Sequence, residues 1–150
     1  MIEIRSASME EFAIIFERLK EIPMQWEDID PARSLFYAAF DGEAIVGFAR
    51  FEPDERGALL GSLYVEPAYR KAGLGRAIVE YAEELTRQCG LPQLFVFSTE
   101  AGFFFQRLGF VETPVEWTVQ TIPHSPQVEW YVQHPHYLAE EVTYVKQVAT

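Results

Sequence analysis

The stretch from Ala58 to Thr99 sets an amphipathic helix between two apolar strands, and that succession constrains the fold more than any other part of the chain. ALLGSLYV (58–65) reads as a largely buried strand, since a strand covered on both faces carries a near-continuous apolar run, and it stops at Pro67. YRKAGLGRAIVEYAEEL (69–85) then opens a helix in which Leu74, Ala77, Ile78, Tyr81, Ala82 and Leu85 form one stripe. Arg76, Glu80, Glu83, Glu84 and Arg87 are expected to face away, Cys89 to join the helix core, and Gly90 to stop the helix. LPQLFVFST (91–99) follows as the next strand.

The flanking segments extend this pattern. Ile2 to Arg5 alternates like an edge strand, and Ser8 followed by Glu11 has capping-box spacing. Phe12, Ile15, Phe16 and Leu19 then form one apolar helical face up to Pro23, and residues 23–33 read as irregular or briefly helical. Asp41-Gly42 between LFYAAF and AIVGFARF predicts a hairpin, and PDERG (53–57) a second turn. AGFFFQRL is a short helix, its three aromatics read as packing, ended by Gly109 before Phe110 and Val111 return to the sheet. The order β-α-β-β-β-α-β-α-β implies an α/β (α+β) fold, a mixed sheet of about six to seven strands with helices on both faces. Prolines at 114, 123, 126 and 135 interrupt any long period in the tail, where VTYVKQV (142–148) alone reads as a strand. One domain over 1–150 is expected, with residues 113–150 serving either the acceptor side or a homodimer contact.

Composition narrows the partners. Twelve Lys and Arg against 23 Asp and Glu leave a formal charge of −11, which argues against nucleic acid or an anionic membrane and favours a cationic small molecule. A single cysteine provides neither a disulfide framework nor a thiolate zinc site, and with no apolar leader or span at the N-terminus a cytoplasmic location is expected. His134-Pro135-His136 lacks a third ligand and is read as a surface loop, so no metal is expected.

The helix opening at Gly73 carries the chemistry. Unpaired N–H groups and the positive end of the dipole make a helix start an anion site, and glycines let a ligand reach the backbone. Between Pro67 and Val79 lie Arg70, Lys71 and Arg76 and no acid, inverting the chain's average charge. A plain strand-to-helix turn with solvated basic residues would leave the same residues. Neither the Walker nor the Rossmann glycine spacing is present. Arg70-x-x-Gly73-x-Gly75 after the strand Gly61 to Val65, with LGF (108–110) closing a short helix further on, resembles the GCN5-related N-acetyltransferase (GNAT) family. The similarity spans about residues 35–112 and extends more weakly to IEIRSAS at the start.

The resemblance implies acetyl-coenzyme A as cosubstrate, its pyrophosphate held by the Arg70-to-Gly75 turn through N–H groups of Lys71, Ala72, Gly73, Leu74, Gly75 and Arg76. It implies a bulge in the SLYV strand and a splay between the fourth and fifth strands, where Leu63 and Val65 pair with the pantetheine arm and one N–H polarises the thioester carbonyl. Phe97, Ser98 and Thr99 would face the same cleft. The implied reaction is direct attack by an amine without a covalent acyl-enzyme. Glu52, Asp54 and Glu66 are candidate proton acceptors, while the acidic position of histone-type relatives falls near Leu59.

Where many members have tyrosine in Phe-Tyr-x-x-x-Gly-Phe, this chain has Phe105, which lies at the cofactor but donates no proton. Ser98, Thr99, Tyr64 or water substitutes, or none is needed, since a thiol of pKa roughly 8.5 leaves as thiolate. Ser98, Tyr64 and Glu66 are thus the catalytic candidates. Trp26, Trp117, Trp130, Tyr131 and Tyr137 are read as core rather than pocket, with Trp117 and Tyr137 first to consider if the tail covers the cleft. The acceptor expected is a primary amine of a small molecule. Protein N-terminal or lysine acetylation, a coenzyme A-binding module without catalysis, and a fold for another phosphate ligand are the alternatives.

Overall fold

A computed structural model describes residues 1–149. Its elements run β1 (Ile2–Ser6), α1 (Met9–Glu21), β2 (Leu35–Asp41), β3 (Ala44–Pro53), β4 (Ala58–Val65), α2 (Leu74–Gln88), β5 (Gln93–Phe97), α3 (Gly102–Arg107), β6 (Val111–Thr113), α4 (Val115–Thr121), α5 (Pro126–Gln133), α6 (Pro135–Leu138) and β7 (Thr143–Gln147). The strands form one seven-stranded sheet in the order β1-β2-β3-β4-β5-β7-β6. β4 and β5 pair parallel, as the helix between them requires, and the other neighbours pair antiparallel.

Strand alternation sends two sets of side chains to two faces. Phe36, Ala38 and Phe40 of β2 meet Ile15 and Leu19 of α1, while Tyr37 and Ala39 meet Ile78, Val79 and Ala82 of α2 on the other face. A third cluster packs Leu59, Phe95 and Val145 under Ile122 and Val128 of the tail. Each Val, Leu, Ile or Phe side chain buried this fully contributes roughly 1.5–3 kcal/mol. Helix α1 starts on the predicted capping box, with Ser8 Oγ accepting from Glu11 N–H at 3.1 Å and the Glu11 carboxylate accepting from Ser8 N–H at 2.8 Å. Gly42 at φ +63°, in the hairpin between β2 and β3, and Gly90 at φ +72°, just past α2, adopt the left-handed backbone their turns require.

Several expectations are corrected. Glu83 does not face away: it is 5% exposed and bound by Lys146 Nζ at 3.1 Å, because a β7 lysine reaches it beneath the helix. Cys89 is exposed rather than core, since it caps α2 after the inward stripe has ended at Thr86. Of the three aromatics in α3, Phe105 is buried and Phe104 partly so, but Phe103 is 71% exposed beneath Arg107, as a single helical turn shows only part of its circumference to the sheet. The tail holds three helices besides its strand, two of them opened by Pro126 and Pro135 at their first positions, where the missing N–H costs nothing. Its strand β7 inserts between β5 and β6.

Candidate active site

The parallel pairing of β4 with β5 covers Ala58, Leu59 and Leu60 against Leu94, Phe95 and Val96, and stops there although β4 continues to Val65. Beyond Leu60, β4 has β3 on one side and no strand on the other. The cause is a bulge: from Phe48 to Arg50 β3 advances two residues while β4 moves from Tyr64 back to Gly61, three residues. Ser62 absorbs the surplus at φ +50°, the one left-handed non-glycine backbone among the described residues. Gly61 beside it has no room for a side chain, since a Cβ would come within 2.6 Å of Gln127 Oε1 and 3.3 Å of Arg50 Nε.

The splay opens into a cavity of about 380 Å³. Leu60 to Leu63 of β4 form one wall, Val96 to Ala101 with Phe104 and Phe105 the opposite one, and the far end is closed by Pro23 to Gln25, Arg50, Gln127, Tyr131 and Glu141. Leu63, Ser98, Thr99 and Phe105 of the predicted site therefore come together here. Val65 is 9% exposed and packs in the core at the end of the same strand. Ser98 Oγ is occupied locally, accepting from Ala101 N–H at 2.8 Å.

At the turn before α2, Gly73 is the helix N-cap at φ +79°, where a Cβ would meet nothing within 4 Å, so the backbone faces open space. Leu74, Gly75 and Arg76 occupy the first helical turn, whose N–H groups have no intrahelical acceptor. Ala72 N–H is drawn into the turn, donating to Tyr69 O at 3.3 Å. Arg70 turns back to donate through Nε to Val65 O at 2.8 Å, tying the turn to the end of β4, while Arg76 pairs with Glu80 and Lys71 is exposed. Gly75 packs against the Phe104 ring, linking this turn to the cavity wall.

Two catalytic candidates lie off the cavity. Tyr64 packs on Phe48 in a tilted ring pair, 5.4 Å between centroids, towards the α1 cluster. Glu66 is ion-paired with Arg18 of α1 beside Ile14 and Ile45. Asp54 accepts from His124 N–H at 2.8 Å. Glu52 is wholly buried, accepting from Ser34 Oγ at 2.5 Å, Ser125 Oγ at 2.6 Å and Gln127 N–H at 3.1 Å. Arg50 beside it places Nη1 at 3.3 Å from Glu52 and 3.0 Å from Asp28, and donates through Nη2 to Gln127 Oε1 at 2.9 Å. Burial pushes the Asp28 carboxyl up, and Arg50 opposes that. Arg50 Nε and Ser62 Oγ are buried without partners.

Of the five aromatics read as core, Tyr131 is 6% exposed, stacked on Phe97 at 4.7 Å, and also lines the cavity, whereas Trp117 and Tyr137 are exposed, because the short tail helices present part of their circumference to solvent. Trp117 packs on Phe95 beneath the sheet, and Tyr137 stands 57% exposed against Trp130. His134 stacks on Trp130 at 3.9 Å rather than lying free in a loop. Sequence reasoning missed Arg50, Gln127 and Glu141, and weighed Tyr131 as core rather than pocket, whereas it is both buried and part of the cavity lining. The signals were present: Arg50 and Glu52 share a face with Phe48 in an apolar strand, and Gln127 and Tyr131 lie four apart after a proline helix start.

Among the described residues no helix is long and apolar enough to cross a membrane. Comparison with known proteins agrees with this geometry. Residues 32–112 match the family model of the acetyltransferase (GNAT) domain. The chain is 29% identical over 122 residues to an amino-acid acetyltransferase of Pseudomonas putida, covering 75% of this chain and 28% of that protein. It is 33% identical over 94 residues to an uncharacterized N-acetyltransferase of Chlorobaculum tepidum, covering 63% of this chain and 60% of the relative. The fold matches N-acetylglutamate synthase from Neisseria gonorrhoeae, solved with coenzyme A and N-acetyl-glutamate, at a TM-score of 0.77 and 18% identity over 100% of this chain and 36% of that one. It also matches the ribosomal-protein-S18-alanine N-acetyltransferase from Escherichia coli at a TM-score of 0.70 and 16% identity, covering 100% of this chain and 96% of that one. With more than half its length inside the family model, and a bulged fourth strand splayed from the fifth, the chain belongs to the GNAT acetyltransferase family.

Proposed function

We propose that residues 1–150 act as one catalytic unit that transfers the acetyl group of acetyl-coenzyme A to a primary amine of a small molecule. The observation that carries this reading is the splay itself: β4 loses its neighbour after Leu60 and exposes an unpaired backbone edge along a cavity. Such an edge suits an extended ligand with amide groups, which can add to a strand as a further strand would. The residues present fit the cofactor. Gly73 and the first N–H groups of α2 offer an anion seat free of side-chain obstruction, and Arg70 holds that seat against the end of β4. When bound, acetyl-coenzyme A supplies an activated acetyl thioester. The chain orients the acceptor and keeps the site shielded between β4, α3 and the tail.

The far end of the cavity supports a small acceptor, because Gln25, Gln127, Tyr131 and Glu141 close it at about 380 Å³. Arg50, the basic side chain lining it, is already engaged by two carboxylates, which favours an amine over an acid as the acceptor. Thermal melting with acetyl-coenzyme A and, separately, ATP tests the first half: a larger upward shift with the coenzyme is expected, and a larger shift with the nucleotide points to another phosphate ligand. Thiol release on adding a panel of small amines tests the second. Tight binding with no turnover across the panel would mark a binding module instead.

A further inference from the structure

The proposed reaction needs a destination for the proton of the acceptor. An alkyl ammonium has a pKa of roughly 10 and must lose a proton before its nitrogen can attack. The carboxylates around the cleft sort by what already holds them. Glu66 is paired with Arg18, Asp54 holds His124, and Glu52 is sealed under Ser34, Ser125 and Gln127. Glu100 lines the cavity but stands exposed to bulk solvent. Glu141, in the loop between α6 and β7, lines the same cavity half-buried. Its Oε2 accepts from Tyr131 O–H at 2.9 Å, and among the described residues no cation pairs with it and no donor reaches Oε1.

We propose that Glu141 is the carboxylate that takes the proton from the acceptor amine, and that Tyr131 is the positioning residue that aims it. This rests on the acetyltransferase reading above. The substrate R–NH₃⁺ gives one proton to Glu141, and the freed lone pair forms the new C–N bond as the C–S bond breaks. The second N–H proton goes to the departing sulfur. Glu141 then returns its proton to solvent, so each turnover yields one amide, one thiol and one H⁺.

The groups facing Glu141 are Tyr131 from α5, Glu140 beside it, Glu112 of β6 and Glu116 of α4 across the adjoining grooves, Glu100 across the cavity and Arg50 at its end. Burial pushes the Glu141 carboxyl up, the Tyr131 hydrogen bond pulls it back, and Glu140 adds to the upward push. A carboxyl raised in this way is better matched to accept a proton near neutral pH than an ordinary glutamate. Tyr131, stacked on Phe97, keeps the carboxylate from swinging out to solvent.

Three proteins test this: the unsubstituted chain, Glu141→Gln and Tyr131→Phe. Each is checked for an intact thermal transition and for acetyl-coenzyme A affinity by calorimetry, which both substitutions should leave unchanged. With an amine that the unsubstituted protein acetylates, Glu141→Gln should lower kcat roughly 10²- to 10⁴-fold and remove the acidic limb of the kcat/KM profile. Tyr131→Phe should keep that limb and move it to higher pH, since the hydrogen bond it loses favours the charged carboxylate. Carbon-13 NMR of side-chain-labelled glutamate in the ligand-free protein gives a readout apart from activity. The resonance missing in Glu141→Gln should titrate above the ordinary glutamate range, and higher still in Tyr131→Phe. Undiminished turnover with an unchanged limb in Glu141→Gln overturns the assignment while leaving the acetyltransferase reading intact. No turnover by the unsubstituted protein with any amine overturns both.

Discussion

Glu11 serves two partners at once, and the consequence is a local acid sensitivity. Bonds from Arg5 and from the Ser8 amide hold its carboxyl down to about 2. A carboxyl lowered on folding stabilises the native state above its unfolded pKa, here near 4.5, and that contribution is lost as pH falls through about 2. Melting temperature followed from pH 5 to 2 should therefore fall less in Glu11→Gln than in the unsubstituted protein. Ser8→Ala, which removes the reciprocal half of the box, should cost about 1 kcal/mol in urea unfolding. Both residues were legible from spacing alone, because a capping box is a local device. Glu83 and Cys89 were not, because what decides their burial is a lysine on β7 and the point where a helix leaves the sheet.

The same division holds for whole elements. β1 to β5, with the two helices among them, follow the predicted pattern because their hydrophobic period, caps and turns lie in neighbouring residues. The tail was harder to read. Prolines that break a helix from inside can open one from its first position, and the period of a seven- or eight-residue helix is too short to separate the two. That misreading hid the far wall of the cavity, since Gln127 and Tyr131 belong to α5. The start of α2 was legible down to the residue, and its role is open to a direct test. Gly73→Val places a β-branched residue at φ +79° in open space, a strain of roughly 1–3 kcal/mol without a steric clash. The protein should still fold and should lose at least tenfold in affinity for acetyl-coenzyme A by calorimetry; unchanged affinity means the phosphates sit elsewhere.

Across the molecule, the face carrying α1 is divided into two apolar clusters, with the Asp28–Arg50–Glu52 group between them. Arg50→Met strips the cation from two buried carboxylates and should cost about 3–5 kcal/mol, read from the urea midpoint at constant slope. Strand alternation sets Arg50 and Glu52 on one face, but no sequence period joins them to residues 28, 34, 125 and 127, which meet them only once the sheet has formed. Gly61 extends the constraint into the cleft, its bare backbone pressed by Gln127 and Arg50. Through Glu52 the segment before β2 and the start of α5, which both contribute to the acceptor end of the cavity, are fastened to the same strand. A chimera that imports one segment from a relative and keeps the other would inherit half of a lock, so retargeting this scaffold to a new amine calls for both segments to be transplanted together with Arg50 and Glu52.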